Sequence, residues 1–534
     1  MNSARAQLPA DDHAGWLLLL PAPRAGQTLL CLETGGVRFA ESAAFWFDDV
    51  TALNNDGNEA RFSGGSLSRE TLRDWRPGAR LPYADQSFSA VVCRFAGSGA
   101  GRRAVAAQLA ESARVLAPDG CLYVDVDNPG SYQLSGGGCR RGTLSRLLSQ
   151  AGFTHQRHHA QIFENRRLAE VVPPRGYRAS RNAWRLRERI KERLLGRFTQ
   201  RWFAPAHAVL AARTPLGASG VETLPAMQAA GSAGFAQFLV NPGKCFVIAG
   251  PDAATVPLIT VVPTRADTVS RRRTELAALQ RLRAAHLSID HLLPRVAREV
   301  DHGRHPLFEY EAFAGTTIDL PVPGFDDFME RAFRVLCEFN RSSLERRALT
   351  ADEIAALVGR PLAVAMARYP VAAPAIARLR STLEKALAGC VVPITWQHGD
   401  YKLENLVFTE SDRAVRAIID WELAAQRGLA LVDLLYLLAY AEITLGAEND
   451  ILPVVRACML TDQWRPASRV LLERYLREFP EVMPFKNVCI GLFLAHHVAS
   501  RFAYDARDLD SQNAIADLML NIAARLEAAP GQSS

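Results

Sequence analysis

In the stretch Trp396-Gln-His-Gly-Asp-Tyr-Lys-Leu-Glu-Asn-Leu-Val-Phe408, Asp400 and Asn405 stand in a D-x-x-x-x-N frame. A second acid, Asp420, ends the apolar run Ala417-Ile-Ile-Asp420 one short hairpin later. One carboxylate facing an acceptor hydroxyl, with an amide oxygen and another carboxylate to hold magnesium, is a set suited to moving a phosphoryl group. Such a transfer asks a protein for positioning and charge neutralisation more than for covalent chemistry. Gly399 lets the loop turn tightly and present Asp400, while Lys402 brings a fixed positive charge within reach of the transferring phosphate. Asn405 offers a neutral oxygen and Asp420 a charged one, the hard donors that magnesium prefers.

These residues need elements that bring them together. Leu406-Val-Phe408 and Val415 to Ile419 read as two short buried strands joined by the polar turn Thr409-Glu-Ser-Asp-Arg413, so both ends of the hairpin meet at one place. Upstream, Phe235 to Val240, Lys244 to Ala249 and Pro257 to Val262 are strand-like runs separated by turn chemistry at Asn241-Pro-Gly243 and Gly250-Pro-Asp252. Arg271 to Leu282 reads as a helix carrying Glu275.

His398-Gly-Asp400, Asn405, Ile419-Asp-Trp-Glu422 and Leu431-Val-Asp-Leu-Leu435 together make residues 233 to 534 resemble the aminoglycoside phosphotransferase and choline kinase superfamily. That resemblance implies an α+β, two-lobed, protein-kinase-like fold, with a small lobe over 233–316 and a large lobe over 317–534. It implies ATP or another nucleotide with Mg2+, and a hydroxyl acceptor on a sugar, amino-alcohol or aminoglycoside-like metabolite. By the same resemblance Asp400 is the catalytic base, and Asn405 and Asp420 bind magnesium. His398, Glu422 and the buried Asp433 support the loop. Leu307 to Phe313, followed by Ala314-Gly315, resembles the strand and hinge beside adenine, which places Glu309 and Tyr310 at the nucleotide. The helices after Leu431 that would wall the acceptor pocket show no distinctive acidic or aromatic cluster.

The chain departs from that family at the third strand. A lysine belongs there, yet the best-aligned positions are Thr260 and Val261. Lys244, on the preceding strand, is the nearest replacement, because its long flexible stem can reach the same phosphates and pair with Glu275.

The first 214 residues form a different unit. Thr28 to Glu33, Cys121 to Val126 and His207 to Arg213 read as strands, alternating with helices over Arg102 to Leu116 and Thr143 to Ala151. Alternation of this kind predicts an α/β, doubly wound, mostly parallel sheet. Leu81-Pro-Tyr-Ala-Asp-Gln-Ser-Phe88 and Ala113-Arg-Val-Leu-Ala-Pro-Asp-Gly120 resemble a class I S-adenosylmethionine-dependent methyltransferase from about residue 16 to 213, a Rossmann-like fold. Of that family's cofactor loop only Glu33, Gly35 and Gly36 remain, and Val50 to Asn55 ends in amides where a ribose-binding acid belongs. The resemblance thus implies a worn methyltransferase domain. Residues 215–232, rich in Ala, Gly, Ser and Pro, read as the linker.

Composition sets outer bounds. At 534 residues the chain is too long for one core, and about two to four domains are expected. A net charge of +6 is small for this size and calls for no nucleic-acid partner. The nine cysteines form no C-x-x-C pair and read as reduced, buried thiols. Trp16 to Leu20 is too short to span a membrane, so the expectation is a cytoplasmic protein, and the alanine and arginine content points to a bacterial genome. Arg178 to Arg201 reads first as a solvated helix on the sheet and second as a basic helix for peripheral membrane contact. His158-His159 and His496-His497 lack companions at metal-ligand spacing. Three functions stay in play: a small-molecule kinase, a bifunctional methyltransferase–kinase for glycan or natural-product assembly, and a non-catalytic nucleotide-binding pseudokinase. If Lys244 replaces the missing lysine, Lys244→Ala weakens Mg·ATP binding and slows turnover, measured by calorimetry and a coupled ADP assay; unchanged values would make it an ordinary surface lysine.

Overall fold

Two short hairpin connections decide the architecture of the first half. Only Gly64-Gly65 separates strands β3 (Asn58–Ser63) and β4 (Ser66–Thr71), and only Asn165-Arg166 separates β7 (His155–Glu164) and β8 (Arg167–Val172). Connections of two residues permit antiparallel pairing alone, since a parallel crossover needs a dozen or more. The computed structural model describes residues 15–21, 27–32, 43–53, 58–63, 66–71, 79–95, 102–127, 139–164, 167–172, 206–224, 235–241, 244–249, 258–302, 305–446, 450–500 and 508–528. It divides into two compact units, residues 1–272 with 296–312, and residues 273–295 with 313–534.

The first unit is built on one mixed sheet. Its other strands are β1 (Thr28–Leu32), β2 (Asp49–Leu53), β5 (Phe88–Arg94), β6 (Leu116–Asp127), β9 (Ala206–Ala212), β10 (Phe235–Asn241), β11 (Lys244–Ala249), β12 (Leu258–Pro263), β13 (Ala297–His302) and β14 (His305–Glu311). The 14-stranded order is β13-β14-β12-β11-β10-β8-β7-β9-β6-β5-β1-β2-β3-β4. Only β2-β1-β5-β6 are parallel; β9 runs antiparallel between β6 and β7, and every strand from β8 to β13 is antiparallel to its neighbours. The sheet is therefore mixed rather than mostly parallel, because hairpins replace crossovers on both flanks of the parallel centre. The strands expected for the small lobe do not form a separate sheet. Phe238 pairs with Val171 and Leu239 with Glu170, so β8 supplies the neighbour that β10 needs.

Burial explains why this sheet holds. Leu109, Leu144 and Leu148, from helices Arg102–Val115 and Arg141–Gln150, pack with Val124 and Val209. Another core cluster gathers Leu17 to Leu20, Phe47, Tyr123 and Leu210 with Val247 and Leu307. The apolar run that is too short for a membrane is thus a buried 3₁₀ turn, Gly15–Leu19. Residues 215–224, read as linker from their composition, fold back on that turn: Val221 N–H donates to Leu18 O at 3.1 Å, and Val221 and Leu224 are buried. Arg114 joins the two segments that carry the methyltransferase resemblance. Its guanidinium donates to Leu81 O, Tyr83 O and the Asp85 carboxylate at 2.9, 2.8 and 2.6 Å. Residues 33–42 and 173–205, hence Glu33, Gly35, Gly36 and the arginine-rich segment, lie outside the described residues.

The second unit is mainly helical. Helix Phe325–Ser343 buries Phe325, Phe328, Met329, Ala332, Phe333, Leu336 and Phe339 at helical spacing, with Asp326 and Asp327 at its N-terminal turn where a carboxylate meets the helix dipole favourably. Helix Val432–Leu445 is buried nearly all round and runs through the middle of this unit. Against them lie a small sheet of β15 (Glu345–Ala348), β16 (Val391–Gln397) and β19 (Ala425–Leu429), and the hairpin β17 (Leu406–Phe408) with β18 (Val415–Ile418). Among the described residues one helical stretch, Pro480–Ala499, is long and apolar enough to cross a membrane, and 67% of its most apolar 18-residue window is buried, as in a core helix.

His159 and His207 of the first sheet are buried, and His158 beside them is half-buried. Burial pushes His158 and His207 down to about 4, and His159 to about 3; both ring nitrogens of His159 lack a partner among the described residues. A depressed histidine costs stability as pH falls, because the unfolded chain takes up protons near pH 6.5 while the folded one refuses them. At pH 5 the cost for His159 is about 2 kcal/mol. Urea unfolding at pH 7 and pH 5 should show that loss in the wild type and a correspondingly smaller one in His159→Leu; identical pH dependence would refute it.

Candidate functional site

Strand β16 is buried along almost its whole length and delivers the chain to His398 at its C-terminal end. There the backbone turns, and two N–H groups pointing inward would be orphaned without a buried acceptor. Asp433, in the first turn of helix Val432–Leu445, supplies it: His398 N–H donates to Oδ2 at 2.7 Å and Gly399 N–H to Oδ1 at 2.9 Å. Burial raises the Asp433 carboxyl above the usual range, against the pull of those two bonds. Gly399 adopts φ +80°, and a Cβ there would lie 2.4 Å from Leu423 O, so both conformation and space demand glycine.

The His398 ring closes the loop onto the next segment. Its Nδ1 accepts from Asp400 N–H at 3.3 Å, and its Nε2 donates to Ile419 O at 2.9 Å. A backbone N–H can only donate and a carbonyl only accept, so these partners select the neutral tautomer with the proton on Nε2. Trp421 lies against the imidazole with ring centroids 4.6 Å apart.

Asp400, Lys402 and Asn405 converge within this turn. Asn405 Nδ2 donates to Asp400 O at 2.8 Å and to Asp400 Oδ2 at 3.1 Å. With the donor end of the amide spent on Asp400, its oxygen is the end left for a cation. Lys402 Nζ stands 3.2 Å from Asp400 Oδ2, 3.1 Å from Glu404 Oε2 and 4.5 Å from the centre of the Tyr440 ring. Between them Tyr401 is fully buried and donates its hydroxyl to Ala332 O at 2.9 Å, pinning the loop to helix Phe325–Ser343.

Asp420 sits between two clamped neighbours. Ile419 N–H donates to Asn405 O at 2.9 Å while Ile419 O takes the His398 ring, and Trp421 N–H donates to Glu275 Oε1 at 3.0 Å. Asp420 itself has φ 65° and ψ 56°, a left-handed conformation that costs a non-glycine residue on the order of 1 kcal/mol. The bonds on either side hold it there. Glu422 follows on the 3₁₀ turn Trp421–Leu423, half-buried.

The remaining expected residues are distributed over both units. Glu275 is 2% exposed and belongs to the second unit, on helix Ala266–Ala284; sequence reasoning gave it a lysine partner and missed the Trp421 N–H. Lys244 begins β11 in the first unit, half-buried, with its ammonium 5.4 Å from the Phe246 ring centre. Pro242-Gly243 lie outside the described residues. Thr260 and Val261 are buried on β12, and the Thr260 hydroxyl lacks a partner among the described residues. Glu309 is buried on β14 and takes two hydrogen bonds from Arg298 at 2.9 and 2.6 Å, and Tyr310 follows it in the strand. Sequence reasoning missed Tyr440. The signal was its place seven residues after Asp433, two turns along one helix face.

The donor set suits magnesium. An amide oxygen and a carboxylate are the sparse, hard ligands that ion takes when phosphate oxygens and water complete its shell. Among the described residues no group of three or more His, Cys, Asp or Glu is placed to hold a metal.

Residues 246–456 match the model of the phosphotransferase enzyme family. Among solved structures, an aminoglycoside phosphotransferase in a ternary complex with ADP and hygromycin B is 13% identical, with a TM-score of 0.37, covering 57% of this chain and 98% of its own. An aminoglycoside phosphotransferase from Streptomyces rimosus is 17% identical, with a TM-score of 0.35, covering 50% and 93%. An S-adenosylmethionine-dependent methyltransferase from Thermotoga maritima is 13% identical, with a TM-score of 0.23, covering 36% and 84%. No curated protein matches the chain.

Replacing Asp433 by leucine keeps the volume but strands two buried N–H groups. It should destabilise the second unit by about 2–5 kcal/mol, read from urea unfolding. A loss below 1 kcal/mol would mean that the turn finds other partners.

Proposed function

We propose that this chain transfers the γ-phosphoryl group of ATP to a hydroxyl of a small metabolite such as a sugar, amino-alcohol or aminoglycoside-like compound. The observation that carries the reading is the stitched arrangement of Asp400, Lys402 and Asn405 with Asp420, in which Ile419 is bonded on both its N–H and its C=O. The family match over residues 246–456 supports the same class of reaction. In the reaction the acceptor oxygen bonds to the γ-phosphorus as the bond to the bridging oxygen breaks. The hydroxyl proton passes to Asp400 and ADP leaves. Lys402 offsets charge on the moving group, and Asn405 and Asp420 would hold Mg2+, which neutralises phosphate charge when bound. Lys244 is our candidate for the phosphates and Glu309 and Tyr310 for the adenine, and Glu275 fixes the segment after Asp420. His398, Glu422 and Asp433 serve as supports.

One observation favours a second reading, a nucleotide-binding protein without turnover: β12 carries Thr260 and Val261 where the family has its lysine. The methyltransferase half of a bifunctional enzyme would need Glu33, Gly35 and Gly36. We place the protein in the cytoplasm of a bacterium, acting on a small molecule.

Calorimetry of Mg·ATP with wild type and Asp420→Ala tests the reading. Losing the charged magnesium ligand should weaken binding by roughly ten-fold or more, since charge-assisted contacts are among the strong ones. Binding that ignores Asp420 would overturn the metal assignment, and binding without turnover over a broad hydroxyl library would favour the second reading.

A further inference from the structure

Lys402 is the least comfortable charge in the site. It is 6% exposed, and an ammonium so far from water has to be compensated. Two carboxylates attend it, but neither is a lasting partner. Glu404 has a side chain 42% exposed, where solvent screens an ion pair. Asp400 is the group that takes the acceptor's proton in the function proposed above, on which this inference rests, and once protonated it no longer attracts a cation.

The third neighbour is different in kind. The Tyr440 ring lies 4.5 Å from Nζ, well inside the range in which an aromatic face attracts an ammonium. A neutral ring holds the cation without cancelling its charge, so that charge stays available to phosphoryl oxygens. The ring is itself backed: Tyr436 stacks beside it with centroids 6.5 Å apart and planes 12° from parallel, and Tyr436 packs on Phe493 at 4.6 Å. Tyr440 and Asp433 share one helix, seven residues apart. One rigid element thereby fixes both the start of the loop, through Asp433, and its cation, through Tyr440.

We propose that Tyr440 is a positioning residue for phosphoryl transfer, a neutral aromatic shelf that keeps the Lys402 ammonium aimed at the transferring group. Its effect falls on the transition state rather than on nucleotide binding. Full-length protein is titrated with MgADP, with and without aluminium fluoride, which mimics the transferring phosphoryl group. Wild type and Tyr440→Phe should both bind MgADP more tightly when the fluoride is present. Tyr440→Leu should keep its affinity for MgADP alone and lose roughly three- to thirty-fold of the fluoride-dependent gain. A full gain in Tyr440→Leu would overturn the proposal. So would loss of MgADP binding itself in Tyr440→Leu, which would make the ring a structural support only. Failure of the wild type to bind MgADP would sink the phosphotransferase reading and this one with it, an outcome separable from the other two.

Discussion

A buried carboxylate with two backbone N–H groups to receive sets the limits for the second unit. Asp433 lies where water does not reach, and it holds the turn that β16 cannot complete by itself. Because that turn is fixed, the His398 ring can face Ile419, Ile419 can pair with Asn405, and Asp420 can stay in a backbone conformation it would not choose alone. Each contact needs the previous one. The sequence of dependence runs from the buried first turn of a helix to the acids of the loop.

The clamps are almost all neutral or made to the backbone. The His398 ring is uncharged, the Asn405 amide spends its donors on Asp400, and Glu275 is engaged by a main-chain N–H. Asp400 is thereby held by its own backbone N–H on the His398 ring and by the Asn405 amide, and Asp420 by the backbone bonds of its two neighbours. A site arranged this way keeps its geometry while protons and phosphate charge change hands, which is the preorganisation that phosphoryl transfer depends on.

What the chain revealed before folding follows from distance along it. Asp400, Lys402 and Asn405 sit within one turn of backbone, and Asp420 is one hairpin away, so type and spacing together exposed them. Lys402 and Tyr440 are far enough apart in sequence that only the helix face joining Tyr440 to Asp433 links them, and a lone tyrosine in an apolar run reads as core. The bond from Glu275 to the Trp421 N–H was hidden for another reason: a backbone donor has no sequence signature. In the first unit the alternating strands and helices were plain, but the antiparallel flanks depended on two-residue turns, and a strand's partner is set by which edge is free when it folds. The pairing of β8 with β10 is of that kind.

That pairing leaves β10 with a neighbour on each side, β11 and β8. Among the described residues the end strands of the sheet are β13 and β4. A descendant gene that lost the amino-terminal half would leave β10 as a raw rim of unanswered amides and carbonyls, an invitation to stack with its own copies. Hydrogen bonds between β8 and β10 thus tie residues 167–172 to residues 235–241, whatever chemistry either half carries.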